Sequence, residues 1–378
     1  MRITAITTTP LLVPYRAPFH WAHGVIRGAE VVLVEVATDA GITGYGETIG
    51  GPSARAMEAL IAVAARDLIG ADPSRNRRLM RDAYAAMFRA QAVCSAPRFA
   101  GQLLAGIEMA LWDIMGKAAG LPVHALMGGA VHDRIAHHGF AMGADADEIA
   151  AEADRLAAAG FGVIYIKAGR SLDADVETVA RVRAAIGPGP RLRIDPNEAW
   201  SPLAARQALA RLAPYDLEFV EQPSIAESIP ALARLRAVSP VGIAADQCVF
   251  TPAEAFEVCR TGAADLIVIG PHETGGLAGM AAVARIAEAA GLNICIHGLY
   301  ETGITACAAH QVAATCPNLD DGNQNMIDFL EWDILAAPDM RPRAGTVPLL
   351  TGPGLGFALD RDAVARAAEL HRRSFPPD

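Results

Sequence analysis

The sequence predicts an α/β fold: a closed parallel barrel with a smaller α+β module on its N-terminal side. Three observations predict it. At 378 residues the chain exceeds what one ordinary core covers, yet a single barrel with an appended module fits that length. From about residue 134 onward, short apolar strands alternate with helices of roughly three to four turns. The residues that end successive strands, Lys167, Asp195, Glu221, Asp246, Gly270 and His297, lie 28, 26, 25, 24 and 27 positions apart, one βα unit per step. Such a step brings equivalent strand ends into a ring at one face, where barrel chemistry is built. An open doubly wound sheet is the alternative topology, but it would not gather six consecutive strand ends around one centre.

The elements follow in order. Within residues 1 to about 125, VVLVEVATDAGITGYGET reads as a strand, a turn at Asp39-Ala40-Gly41 and a second strand. Apolar residues at three- and four-residue spacing predict helices over Ala54–Leu68, Arg75–Ala90 and Gly101–Ala119, the last stopped by Gly120-Leu121-Pro122. Barrel strands are predicted at Ile135–Ala141, Val163–Ala168, Leu192–Asp195, Leu217–Val220, Gly242–Ala245, Leu266–Ile269 and Leu292–Ile296. An eighth falls near Leu319 with a weaker pattern.

Composition narrows the function classes. A chain 52% hydrophobic and 20% charged, with long Ala-rich stretches, suits helices packed on a sheet. The formal charge of −10, without clustered Lys and Arg, argues against a nucleic-acid partner. The opening MRITAITTTPLLVPYRAPF lacks a signal-peptide pattern and no apolar run reaches membrane-span length, so a cytoplasmic location and no membrane partner are expected. The cysteines at 94, 248, 259, 295, 307 and 316 form no closely spaced pairs and read as reduced thiols in small core volumes.

Strand parity sets the chemistry. Alternation in VIYIKAG puts Tyr165 and Lys167 on one face, and in RLRIDPNEAW it puts Arg193, Asp195 and Asn197 on the inner side with Leu192 and Ile194 against the helices. Glu221 closes LEFVEQP and Asp246 closes GIAAD in the same manner. Three converging carboxylates would repel one another unless a cation sits among them. All-oxygen ligation favours Mg²⁺, with Mn²⁺ as the variant. Any one of these acids alone would read as a salt bridge or helix cap. Removal of a proton α to a carboxylate needs charge stabilisation from such an ion and a base on one face, for which Lys167 is placed. A plain ion pair is the alternative for Lys167. His297 lies roughly across the barrel and can serve the opposite face, unless it is a structural histidine. Glu301, in HGLYE, is a candidate to orient His297 or to bind substrate.

At this point GITGYGE, GIEMALWDIMGKAAGLPVHALMGG, RIDPNEAW, VEQP, the Ala-Asp after the fifth strand and ETGGLAG occur in an order that resembles the enolase superfamily, in its mandelate racemase and muconate lactonizing enzyme branch. The resemblance covers nearly the whole chain. It implies a (β/α)₇β modified TIM barrel over 126–349 and a capping domain over 1–125 completed by about 350–378. It also implies Mg²⁺ on Asp195, Glu221 and Asp246, and a homo-oligomer. Specificity loops are implied at about Tyr15 to Gly28 and Glu47 to Pro52, with His20, Trp21 and His23 as candidates for closing over substrate.

Two positions depart from that pattern. The Lys-x-Lys of the second strand stands here as Tyr165-Ile166-Lys167, keeping the usual base and leaving Tyr165 to hold a substrate oxygen. The sixth strand has Gly270 where a lysine or an aspartate is expected, so His297 lacks the aspartate that would fix it. The expected reaction is abstraction of the α-proton of a small carboxylate to give a metal-stabilised enolate. Racemisation, epimerisation or loss of water would follow. Muconate-type cycloisomerisation and a binding homologue without turnover are the alternatives.

Overall fold

The computed structural model describes residues 1–92 and 97–375, so Cys94 lies outside the described residues. The N-terminal sheet is antiparallel, in the order β1 (Ile3–Trp21), β2 (Gly24–Thr38) and β3 (Thr43–Ile49). The turn between β2 and β3 falls at the predicted Asp39-Ala40-Gly41, with Gly41 at φ 75°. One expectation is corrected. The stretch Tyr15 to Gly28, expected as a loop, is the end of a long hairpin: after a break in register beyond Pro14, β1 and β2 pair again from Phe19 and Ile26 to Trp21 and Gly24.

Strand β2 is buried on both faces, and alternation divides it between two cores. Val32, Val34 and Val36 pack on α1 (Ala54–Arg66) and the later helix α3 (Pro97–Ala119). Val31 and Leu33 face Leu11, Val13 and residues of the C-terminal half. The predicted middle helix is α2 (Asn76–Tyr84), extended by a wider turn over Ala85–Arg89. Helix α3 lies so close to β3 that a Cβ on Gly46 would stand 1.9 Å from the Gly106 carbonyl oxygen. Glycine at that crossing lets two backbones touch.

After α4 (Val123–Leu126) the chain enters the parallel sheet. The predicted strand Ile135–Ala141 is split. β4 (Arg134–Ala136) pairs antiparallel with a C-terminal strand, and only β5 (Gly139–Ala141) joins the barrel. The sheet runs β5, β6 (Val163–Lys167), β7 (Arg191–Asp195), β8 (Leu217–Glu221), β9 (Gly242–Ala245), β10 (Leu266–Ile269) and β11 (Asn293–Ile296). The eighth position is an irregular segment around Leu319. Single parallel bridges Ile294 to Leu319 and His137 to Asn323 close the ring without a ladder. The fold is a modified TIM barrel with a strand-rich N-terminal cap.

Helices α5 (Ala146–Ala158), α6 (Leu172–Ile186), α7 (Pro202–Leu212), α8 (Ile229–Arg236) and α9 (Pro252–Thr261) cover the outside, followed by α10 (Pro271–Thr274), α11 (Leu277–Ala289) and α12 (Gly303–Ala313). Local chemistry starts them. Ser171, Ser201, Ser228 and Thr251 each accept a backbone N–H at the first turn, and Pro202 and Pro252 stand at or near the first helical position. The short strands β12 (Leu335–Ala337), β13 (Thr346–Pro348) and β14 (Ala358–Leu359) lead to α13 (Arg361–Ser374). Val364 and Ala367 of α13 return to the core beside Leu11 and Val13 of β1.

Candidate active site at the strand ends

The predicted parity holds inside the barrel. Leu192 and Ile194 lie in the core beneath the helices, while Arg193 points inward and is fully buried. Its guanidinium is held by Glu218 at 2.6 Å, Asp320 at 2.5 Å and the Gly322 carbonyl at 2.7 Å. It therefore serves the barrel interior rather than the strand-end cavity. Two residues on, Asp195 is completely buried. Its Oδ2 accepts from Lys167 Nζ at 2.5 Å and from the Tyr165 hydroxyl at 2.8 Å, and its Oδ1 accepts from the Asn197 backbone at 2.7 Å. Tyr165 is thus committed to Asp195 rather than presented to a substrate oxygen, and its expected role is corrected accordingly.

Glu221 and Asp246 behave differently. Oε1 of Glu221 and Oδ2 of Asp246 are buried without a hydrogen-bond partner. Burial pushes the Glu221 carboxyl well above its usual range, and the nearby Asp195 and Asp246 add to this. Burial likewise raises Asp246 to about 7, against the opposing pull of His297. Buried, mutually repelling carboxylates with unpartnered oxygens are the environment that a hard cation relieves. Among the described residues, the ligating atoms lying within 4.8 Å of one another belong to Glu221, Asp246 and His297. Asp195 is not part of that group, which departs from the grouping read in the sequence.

His297 directly follows β11, with four strands between it and the Lys167 strand β6 in the sheet order. Its Nδ1 lies 2.9 Å from Glu273 Oε1 and 3.6 Å from Asp246 Oδ1. Burial alone would lower its pKa, but the carboxylates of Asp246 and Glu273 outweigh that and push it up to about 10. His297 lacks the sixth-strand aspartate, as expected, and Glu273, which the sequence reading did not single out, is the carboxylate beside it. The signal for it was faint, an acid three residues past a strand end that itself carries no acid. Glu301 does not orient His297. It is buried, accepts from the Leu299 backbone at 2.8 Å, and has its carboxyl raised to about 7 by burial.

Above these groups lies a cavity of about 350 Å³. Lys167, Asn197, Asp246, Glu273 and His297 line its floor, and Phe19, Trp21, Ile26, Phe250, Leu299 and Met326 form apolar walls. The hairpin tip roofs it. Trp21 meets Tyr300 edge-on at 6.3 Å, and His23 Nε2 lies 2.7 Å from the Asn197 carbonyl oxygen, pinning the tip to the barrel. His20 is turned away. It alternates with Phe19 and Trp21 along β1, is exposed, and does not line the cavity.

Residues 3–128 match the family described as "Mandelate racemase / muconate lactonizing enzyme, N-terminal domain", and residues 148–363 match "Enolase C-terminal domain-like". The chain belongs to the mandelate racemase and muconate lactonizing enzyme family of the enolase superfamily. Muconate cycloisomerase 1 of Rhodococcus opacus is 34% identical over 96% of this chain and 98% of its own. The solved N-succinyl Arg/Lys racemase of Bacillus cereus superposes with a TM-score of 0.89 at 26% identity, over 97% of this chain and 98% of that one. A dipeptide epimerase of Enterococcus faecalis, solved with Mg and the dipeptide L-Leu-L-Tyr, gives 0.86 at 27% identity over 95% and 100%. Curated relatives are named as cycloisomerases, dehydratases and epimerases, and this chain is an enolase-superfamily enzyme, an isomerase or a lyase. No described helix is long and apolar enough to cross a membrane.

Proposed function

We propose that this enzyme removes the α-proton of a small carboxylate substrate, with Lys167 working from one face of the cavity and His297 from the other. The observation that carries the reading is their common setting: both line the cavity that also contains Asp246, and they sit on strands separated by four others in the sheet. Asp195, Glu221 and Asp246 are the residues that would hold Mg²⁺, or Mn²⁺ in its place. Unpartnered oxygens on Glu221 and Asp246 support this. A bound divalent ion supplies positive charge to the substrate carboxylate as the proton leaves.

Once its ion pair with Asp195 loosens and its ammonium proton passes to solvent, Lys167 accepts the α-proton as the neutral amine, and the apolar roof of Trp21, Phe19 and Ile26 keeps bulk water from the reacting carbon. Return of a proton from His297 to the α-carbon gives racemisation or epimerisation, and donation to a β-hydroxyl gives loss of water. Cycloisomerisation of a muconate-type diacid is the second reading, favoured by the 34% identity to the Rhodococcus opacus enzyme. A homo-oligomer and a cytoplasmic location complete the proposal, as does a division into a cap of residues 1–125 with about 350–378 and a barrel of 126–349.

The test is α-deuterium exchange in D₂O with Mg²⁺, across hydroxy acids, acid sugars, amino-acid derivatives and muconates. Exchange should occur with at least one class and drop by about a thousandfold in Lys167→Ala. Metal and carboxylate binding with no exchange in any class would make the chain a binding protein. Exchange that survives Lys167→Ala would remove the assigned base.

A further inference from the structure

We infer that Glu273 is the positioning residue for His297, and that Gly270 is glycine because Glu273 occupies the space a side chain there would need. The inference rests on the reading of His297 as a proton donor. An imidazolium that gives its Nε2 proton to a substrate keeps its remaining hydrogen on Nδ1, so that nitrogen needs a fixed acceptor to hold the hydrogen and orient the ring. Glu273 Oε1 lies 2.9 Å from Nδ1, within hydrogen-bond reach, whereas Asp246 Oδ1 at 3.6 Å lies outside it. Glu273 thereby keeps the hydrogen on Nδ1.

Geometry ties position 270 to position 273. Strand β10 ends at Ile269, so Gly270 occupies the ring position at which the neighbouring strands β7, β8 and β9 place Asp195, Glu221 and Asp246. The single turn Pro271–Thr274 then folds back over it, held by Thr274 N to the Gly270 carbonyl at 3.2 Å and Thr274 Oγ1 to the same oxygen at 2.7 Å. That turn carries Glu273 to within reach of His297 from one helical turn further along the chain. A Cβ at 270 would stand 2.5 Å from Glu273 Oε2 and 2.9 Å from the His297 carbonyl oxygen. The His297 carbonyl oxygen needs to give only slightly, whereas Glu273, 3% exposed and bonded to the imidazole, has nowhere to move without releasing it. A carboxylate reaching His297 from 270 and one reaching it from 273 therefore exclude each other. In this chain the partner has moved three residues along, and the glycine is the condition for it.

The experiment needs no turnover: imidazole proton and ¹⁵N NMR of the Mg²⁺-loaded protein without substrate, the His297 signal being identified by its loss in His297→Gln. Wild type should show a hydrogen-bonded, downfield Nδ1 proton. Glu273→Leu and Gly270→Ala should each lose it, with melting temperature and Mg²⁺ affinity kept near wild type in Glu273→Leu. Gly270→Asp combined with Glu273→Gly should bring it back. Persistence of the signal in Glu273→Leu would overturn the assignment in favour of another acceptor. Persistence in Gly270→Ala, or failure of the double variant to restore the signal, would overturn the coupling of the two positions. A protein that passes these tests yet exchanges no α-proton would contradict the proposed function alone.

Discussion

Asp195 is the residue on which several lines of the site converge, because it pairs with Lys167 and Tyr165 while standing beside two carboxylates that have unpartnered oxygens. Asp195→Asn keeps the shape and removes one negative charge. We expect Mg²⁺ affinity by calorimetry to fall at least about tenfold, with far-UV circular dichroism unchanged. Unaltered affinity would exclude Asp195 from the metal site and leave Glu221, Asp246 and His297 as the group to consider. At this scale the sequence was informative wherever a side chain stood at a strand end, since the βα step and strand parity located Lys167, Asp195, Glu221, Asp246 and His297. It was uninformative where position depended on a turn beyond the strand, as for Glu273. It also failed where a hydroxyl had two possible partners, as for Tyr165, because only side-chain rotamers decide between them.

Among the elements, the packing of α3 on β3 holds the cap together. A methyl group on Gly46 would meet the Gly106 carbonyl at 1.9 Å, and one on Gly106 would meet Thr48 Oγ1 at 2.5 Å. Gly46→Ala should therefore cost about 1–3 kcal/mol in denaturant unfolding. Gly162, with nothing within 4 Å of its would-be Cβ, is the matched control, and Gly162→Ala should change stability by no more than about 1 kcal/mol. Equal effects of the two substitutions would remove close approach as the reason for glycine at 46. Helices and the Asp39-Ala40-Gly41 turn were legible from periodicity and turn chemistry. The hairpin end at residues 15–28 was not: the resemblance implied a loop there, while Phe19 to Trp21 pair with Gly24 to Ile26 after a break in register beyond Pro14, and such cross-strand pairing depends on context more than on local sequence.

For the whole molecule, the weak place in the ring is its seam, where the irregular eighth position meets β5 and the start of the barrel. A buried histidine pair sits there. His137 Nδ1 lies 3.1 Å from the Asn323 carbonyl oxygen, and its Nε2 lies 2.9 Å from Nε2 of His310. Burial lowers His137 to about 4 and His310 well below its usual value. Because these folded-state pKa values lie below that of an unfolded histidine, the pair's contribution is fully present above about pH 6.5 and is lost as the pH falls toward 4. Between pH 7 and 5 the unfolding free energy should drop by about 2 kcal/mol for His137 alone. The drop should be smaller in a His137→Gln/His310→Gln variant. Identical pH slopes in the two proteins would show that the pair does not titrate on unfolding. The barrel itself was legible from the regular step. Its closure was not, since single bridges leave no alternating pattern for a sequence to display.

The hairpin tip has a consequence for inheritance. Phe19, Trp21 and Ile26 come from one short contiguous stretch of chain, whereas the strand-end acids, the lysine and the histidine are spread over more than a hundred residues. A recombination event that replaced residues 15–28 would exchange the roof as a unit while leaving every strand end as it stands. Lineages sharing one proton-handling floor can therefore diverge in what they accept by trading a single hairpin.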